Sequence, residues 1–302
     1  MKRMAIKNVF NTMKRGGYVI QPWEKYLLSK QDKNNDRAKN VNAPSQIGMC
    51  IRARYYAREG YPSERISAKT ERIFNNGTYV HERIQKDLKS CGILLMDEVP
   101  VFDDEYLIQG HTDGIITLGN DELGILEIKS INSRNFTELK VAKEEHVEQG
   151  LCYLHCVEKH RKLLRASYKN AVEFAMSWTK ERRPIYEAMY PHLQGGNTYS
   201  RQQKLDFQLL LHSELDRLLY YQDKPITKAV FLYECKDNQE VKEFVVDSTT
   251  DKAKDIIENI LIDCNFLNES INVHIIPPRP EGAKRNSNMC RWCAYKDECF
   301  VV

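Results

Sequence analysis

Three ionisable side chains fall close together in the stretch "GHTDGIITLGNDELGILEIKS": Asp113, Glu127 and Lys129. Asp113 lies in a run of strand-forming residues, and the chain turns through a Gly/Asn/Asp cluster before Glu127, Ile128 and Lys129. Side chains alternate across a strand, so Glu127 and Lys129 share one face while Ile128 takes the other, where it can anchor a core. A hairpin closed through "GNDELG" brings Asp113 beside them. Two carboxylates converging at a strand end are costly unless a cation neutralises them, and hard oxygen ligands suit Mg²⁺ or Mn²⁺. A lysine alongside can orient or help deprotonate an attacking water. Such a site hydrolyses phosphodiesters, because the metal polarises the phosphoryl oxygen and acidifies bound water. An ordinary exposed hairpin carries the same residue types, so this spacing needs support from elsewhere in the chain.

That support comes from three places. His81 sits on the apolar stripe Ile73, Gly77, Ile84, Leu88 of a helix expected over 63–90, where a neutral imidazole could complete a metal shell. Gln149 and Tyr153, four residues apart and hence on one face, form a polar pair on a helix expected over 141–160. Near the end of the chain "CRWCAYKDEC" spaces Cys290, Cys293 and Cys299 as C-x2-C-x5-C. Three thiolates so close read as a metal or cluster site that needs a fourth ligand, and Cys50 in "SQIGMCIRARYY" is the candidate. One such centre would tie the two ends of the chain together and suppress much unfolded-state freedom. Spacing alone leaves iron–sulfur and zinc both open. The remaining cysteines have no such logic and read as packing residues.

The elements that must position these groups follow from pattern. "ILLMDEVPVF", "YLIQGHTDGIITL" and "LGILEIKS" read as three strands of an antiparallel meander, and "KAVFLYECK" with "EVKEFVVD" as a further pair. A helix "DKAKDIIENILIDCNFLNE" follows. Residues 1–42 are polar and read as an N-terminal extension, and about 161–224 as a largely helical insertion in a domain spanning 43–302.

In this chain of 302 residues, 42% hydrophobic and 29% charged composition excludes wholesale disorder. The absence of a long apolar run or a secretory signal predicts a soluble cytoplasmic protein without a membrane partner. An odd nine cysteines argue against a complete disulfide framework. The net charge of +3 hides an asymmetry: residues 1–90 hold 19 Lys and Arg against 8 Asp and Glu, leaving 26 against 34. Within the basic part, Arg52, Arg54 and Arg58 interleave with Tyr55 and Tyr56, a pattern that could track phosphates and stack on bases, or form a solvated helix face.

Taken in order, these motifs resemble the PD-(D/E)xK nuclease superfamily, and within it the RecB-like exonucleases that carry a 4Fe-4S cluster. That branch includes the AddB nuclease domain, a CRISPR-associated exonuclease and stand-alone viral relatives. "FNNGTYVHERIQ" is similar to its Gly-x3-His helix, "GHTDGII" to its G-x-x-D strand, "LEIKS" to its E-x-K strand and "QGLCY" to its Q-x3-Y helix. The resemblance implies an α/β fold with a central mixed sheet flanked by helices, the cluster pinning a helical N-terminal section to the C-terminal tail. It implies that His81, Asp113, Glu127 and the Ile128 carbonyl bind the metal, that Lys129 acts on the water, and that Gln149 and Tyr153 position DNA or brace the site. It also implies that Cys50, Cys290, Cys293 and Cys299 hold iron–sulfur in preference to zinc. The expected activity is exonucleolytic cleavage of single-stranded DNA or DNA ends in recombination or repair, in a bacterial, archaeal or virus-infected cell, with a helicase, recombination or integrase-type partner. A structure-specific endonuclease and a DNA-binding assembly subunit are the alternatives.

Overall fold

The computed structural model describes residues 18–31, 40–119, 122–166 and 224–301. Along the chain lie α1 (Ile20–Gln31), a 3₁₀ turn (Pro44–Gln46), α2 (Ile51–Arg58) and α3 (Ala68–Ser90). Strands β1 (Leu94–Asp103), β2 (Ile108–Gly119) and β3 (Glu122–Ile131) follow, then α4 (Ser133–Glu138) and α5 (Glu144–Ala166). After these come β4 (Ile226–Cys235), β5 (Val241–Asp247), α6 (Asp251–Asn272) and α7 (Lys296–Val301). The expected insertion at 161–224 lies almost wholly outside the described residues.

The architecture is α/β. Among the described residues five strands form one mixed sheet in the order β1-β2-β3-β4-β5, antiparallel throughout except for the parallel β3/β4 pair at its centre. Parallel strands need a crossover, and the segment between Ile131 and Ile226, which includes α4 and α5, supplies it. β3 reads as nearly continuous apolar sequence because both of its faces are covered.

α3 covers one face, packing Val80 and Ile84 against Leu94, Ile116, Leu126, Ile128 and Val230. Ser67 caps its start, accepting from the Thr70 backbone N–H at 3.1 Å, so the helix begins five residues after the expected boundary. α5 and α6 cover the other face, with Leu151, Leu154, Val157 and Ile260 against Ile115, Ile125, Phe231 and Tyr233. Ile128 is fully buried, and truncating it to alanine should cost about 2–5 kcal/mol. α5 approaches β4 closely at Gly150, where an added Cβ would lie 2.5 Å from the Phe231 ring. That close approach lets the neighbouring Gln149 reach across to β3.

Two expectations are corrected. The polar start of the chain contains α1, which lies on α3: Arg72 donates to Glu24 Oε1 at 3.2 Å and stands over the Trp23 ring. The boundary after residue 42 also cuts into the folded body, since Asn42 is 1% exposed. Its backbone N–H donates to the Leu107 carbonyl at 2.6 Å and its side-chain amide to the Tyr106 carbonyl at 2.8 Å. A polar residue looks like linker in sequence; here its amide satisfies the β1/β2 turn.

The second correction concerns α2. Arg52, Arg54 and Tyr55 are 8%, 2% and 2% exposed, so they present no surface for DNA. Arg52 donates to the Pro277 carbonyl at 2.9 Å, and Arg54 to Asn42 Oδ1 at 3.0 Å. Arg58 is spent on Asn268 Oδ1 at 2.6 Å and the Asn40 carbonyl at 3.0 Å. Tyr55 and Tyr56 pack with Leu267 of α6. A guanidinium this buried must find carbonyl or amide oxygens, and these fasten α2 to the C-terminal segment.

Candidate active site

β2 and β3 pair from Gly119/Glu122, through a register shift between Gly119 and Thr117, up to Gly114/Leu126 and then part. Beyond that point β2 continues against β1, while β3 continues against β4. The sheet therefore forks, and Asp113 and Glu127 are the first residues on either prong. Thr112 marks the split by donating its hydroxyl to the Leu126 carbonyl at 3.0 Å.

Asp113 fills the fork. Its Oδ2 accepts the Ile128 backbone N–H at 2.6 Å, taking the place a neighbouring strand would have filled. In an extended strand the N–H and C=O of one residue face the same side, so the Ile128 carbonyl faces the fork too. Asp113 Oδ1 lies 3.1 Å from His81 Nδ1. That distance suits a hydrogen bond in the metal-free protein and also adjacent ligands of one octahedral cation, since ligands about 2.1 Å from the ion at right angles stand about 3 Å apart.

Glu127 is 2% exposed, and its two oxygens differ. Oε2 accepts from Lys129 Nζ at 2.9 Å, whereas Oε1 is buried with no hydrogen-bond partner. An orphaned carboxylate oxygen in this position fits a cation ligand. Burial first, and the Asp113 charge second, push the Glu127 carboxyl up to about 7 against the opposing pull of Lys129. His81 is raised as well: burial alone would lower it, but the hydrogen bond and charge of Asp113 outweigh that. Protons held on both groups in the metal-free protein would be released when a cation binds.

Lys129 is fixed on a second side by Gln149 Oε1 at 2.9 Å, and Gln149 Nε2 donates to the Tyr153 hydroxyl at 3.1 Å. An ammonium has three N–H donors, so one is left for the fork. Tyr153 is 4% exposed and its hydroxyl is raised well above its ordinary value, by burial first and Glu127 second. It braces Gln149 from behind and makes no surface for DNA. The structure thus brings His81, Asp113, Glu127, Ile128, Lys129, Gln149 and Tyr153 into one connected group.

Sequence reasoning missed two further members. Gln85 lies one turn after His81 on the same helix face and donates Nε2–H to the Asp113 carbonyl at 2.9 Å. Helix α3 therefore grips Asp113 twice, by side chain and by backbone. The second N–H of Gln85 donates to Glu98 Oε1 at 2.8 Å, and Glu98 adopts φ 48° within β1, a conformation disfavoured for glutamate. The i, i+4 relation of His81 and Gln85 was visible in "HERIQ"; nothing local marked Glu98.

The four singled-out cysteines meet at a second place. Cys50, Cys290, Cys293 and Cys299 line one cavity with Arg52, Arg279 and Lys296. The Cys293 thiol is raised, by burial first and then by Cys50, Cys290 and Cys299, which places the four sulfurs within electrostatic reach of one another. Four thiols beside three cations fit a thiolate-bound centre. Among the described residues no three His, Cys, Asp or Glu side chains are drawn to the geometry of a formed metal site. Cys152, Cys156, Cys235 and Cys264 are buried packing residues, while Cys91 is exposed.

No family model and no curated protein matches the sequence. Among solved structures the chain is similar to one titled "Crystal structure of SSO0001", at 13% identity and a TM-score of 0.45, over 94% of this chain and 96% of that one. No helix among the described residues is long and apolar enough to cross a membrane.

Proposed function

We propose that this chain is a divalent-metal-dependent DNA nuclease with a PD-(D/E)xK core of the RecB-like type, acting as an exonuclease on single strands or DNA ends. The observation that carries the reading is the fork: Asp113 accepts the Ile128 N–H where the strands part, and Glu127, the first residue of the other prong, keeps Oε1 buried without a partner while Lys129 bonds its Oε2. His81, Asp113, Glu127 and the Ile128 carbonyl would hold Mg²⁺ or Mn²⁺. When bound, the cation supplies positive charge for the scissile phosphate and acidity for its water.

The chain's own residues do the rest. Glu127 Oε2 and Gln149 Oε1 hold the Lys129 ammonium so that its remaining N–H meets the attacking water or a phosphoryl oxygen. Tyr153 keeps Gln149 in place, and Gln85 keeps Asp113 in place. Cys50, Cys290, Cys293 and Cys299 would hold a 4Fe-4S cluster, with structural Zn²⁺ as the alternative, locking α2 to the C-terminal tail.

The test is a nuclease assay on anaerobically purified protein with Mg²⁺ or Mn²⁺ and end-labelled single- and double-stranded DNA, beside Asp113→Ala. Cleavage that needs metal and is lost in Asp113→Ala is expected, with the product ladder giving polarity. Covalently closed circles should survive; their cleavage would select an endonuclease. If cluster-loaded protein leaves every DNA form intact, the nuclease reading is wrong.

A further inference from the structure

The α5 face that carries Tyr153 and Gln149 continues outward to His146, three residues before Gln149 and seven before Tyr153. Beneath that face, Lys129 of β3 and Tyr233 of β4 are register partners and stand side by side. Gln149 descends onto Lys129, and His146 onto Tyr233, with Nδ1 2.7 Å from the hydroxyl. The far end of α5 lies by the start of β4, where Glu158 accepts the Ile226 N–H at 2.8 Å. α5 therefore runs antiparallel to β3 and β4, and His146 sits one turn nearer the open end of the fork than Gln149.

The hydrogen bonds fix which ring nitrogen carries the proton. Tyr233 is fully buried, and its oxygen accepts the Lys143 backbone N–H at 3.1 Å. Its own O–H needs an acceptor, and His146 Nδ1 is the one within reach; the opposite polarity would bury an unpaired hydroxyl proton. Nδ1 thus accepts and Nε2 carries the ring proton. Nε2–H has no protein partner among the described residues, and the ring is half-buried. The imidazole stays neutral: burial first, then the Lys129 and Lys143 charges, bring it down to about 3. A protonated Nε2 is no metal ligand. It is an uncharged donor, fixed in direction, beside Lys129 and Lys143, which also reach Glu127 at 2.9 Å and Glu145 at 3.8 Å.

We propose that His146 is a phosphate-binding residue, its Nε2–H donating to a non-bridging oxygen of the nucleic-acid phosphate next to the one at the fork. This rests on the nuclease reading. An anionic oxygen is the acceptor that both the lysine pair and an unpaired N–H favour, and a rigid neutral donor selects geometry without adding charge.

The test measures binding of a labelled single-stranded oligonucleotide by full-length, cluster-loaded protein in EDTA across a salt series. His146→Leu should weaken binding about tenfold, and His146→Gln, which keeps a neutral donor, should recover part of it. Neither should change the slope of log affinity against log salt, because a neutral donor releases no counterion. Lys143→Ala should reduce that slope by about one. Nitrogen-15 NMR of the wild-type ring should show the Nε2-protonated tautomer near neutral pH, and Tyr233→Phe should mix the tautomers. An Nδ1-protonated ring, a changed slope in His146→Leu, or wild-type affinity in that variant would each overturn the inference. If wild type binds and cleaves DNA while His146→Leu binds equally well, the inference alone fails. If wild type neither binds nor cleaves, the nuclease reading fails and takes the inference with it.

Discussion

Raising the pH of the metal-free protein should destabilise it, and Glu127 is the cause. Its carboxyl moves from 4.5 to about 7 on folding, through burial first and the Asp113 charge second. A carboxyl whose folded value exceeds its unfolded value contributes stability fully below the unfolded value, and that contribution is lost as pH rises through the folded one. The gap converts to roughly 3 kcal/mol, lost between about pH 4.5 and a little above pH 7. At roughly 2 °C per kcal/mol for a chain of this size, Tm should fall by about 6 °C. Thermal unfolding in EDTA at about pH 5 and about pH 8 measures it, with Glu127→Gln as the comparison. The variant cannot ionise at this position and should lose most of the dependence, whereas the raised His81 contributes in both proteins. Adding Mn²⁺ should reverse the trend for wild type, because the cation binds the ionised carboxylate. Equal pH dependence in wild type and Glu127→Gln would refute the reasoning.

Gln85→Leu should weaken metal affinity about 10- to 100-fold by releasing the Asp113 carbonyl, measured by Mn²⁺ titration calorimetry, with a smaller effect on Tm. Arg54→Met should lower Tm by about 6 °C or more, since Asn42 Oδ1 loses a buried donor, yet leave the salt dependence of DNA binding unchanged. A lost salt dependence with unchanged Tm would restore α2 as a DNA surface. Cys293→Ser should remove bound iron or zinc by metal analysis, and it should loosen α2 and the residues after it from the C-terminal segment in hydrogen exchange, where Arg52 now bonds the Pro277 carbonyl and the Glu64 N–H the Ala294 carbonyl. Gln149→Leu should lower kcat while leaving metal affinity within about threefold, because it frees Lys129 and touches none of the proposed ligands.

Periodicity and strand alternation in this chain determined the first three strands, the later strand pair, and the placing of Glu127 and Lys129 on one face with Ile128 on the other. These are local properties: a strand's two-residue repeat and a hairpin's register are written in neighbouring residues, and the β2/β3 register runs up to Gly114/Leu126, which leaves Asp113 and Glu127 next in line on their two strands. The helix stripe through His81 was legible for the same reason, although Ile73 on that stripe is 44% exposed. Tertiary structure decided what periodicity does not encode. The basic Arg/Tyr helix looked like a nucleic-acid track, yet it is buried because α6 and the C-terminal segment, more than 200 positions away, supply its partners. Gln85, Glu98 and His146 acquire roles only through contacts across elements, with the Asp113 carbonyl, with Gln85 and with the Tyr233 hydroxyl. A sequence specifies which side chains are available; which oxygen remains unpaired, as Glu127 Oε1 does, depends on what the folded chain places beside it.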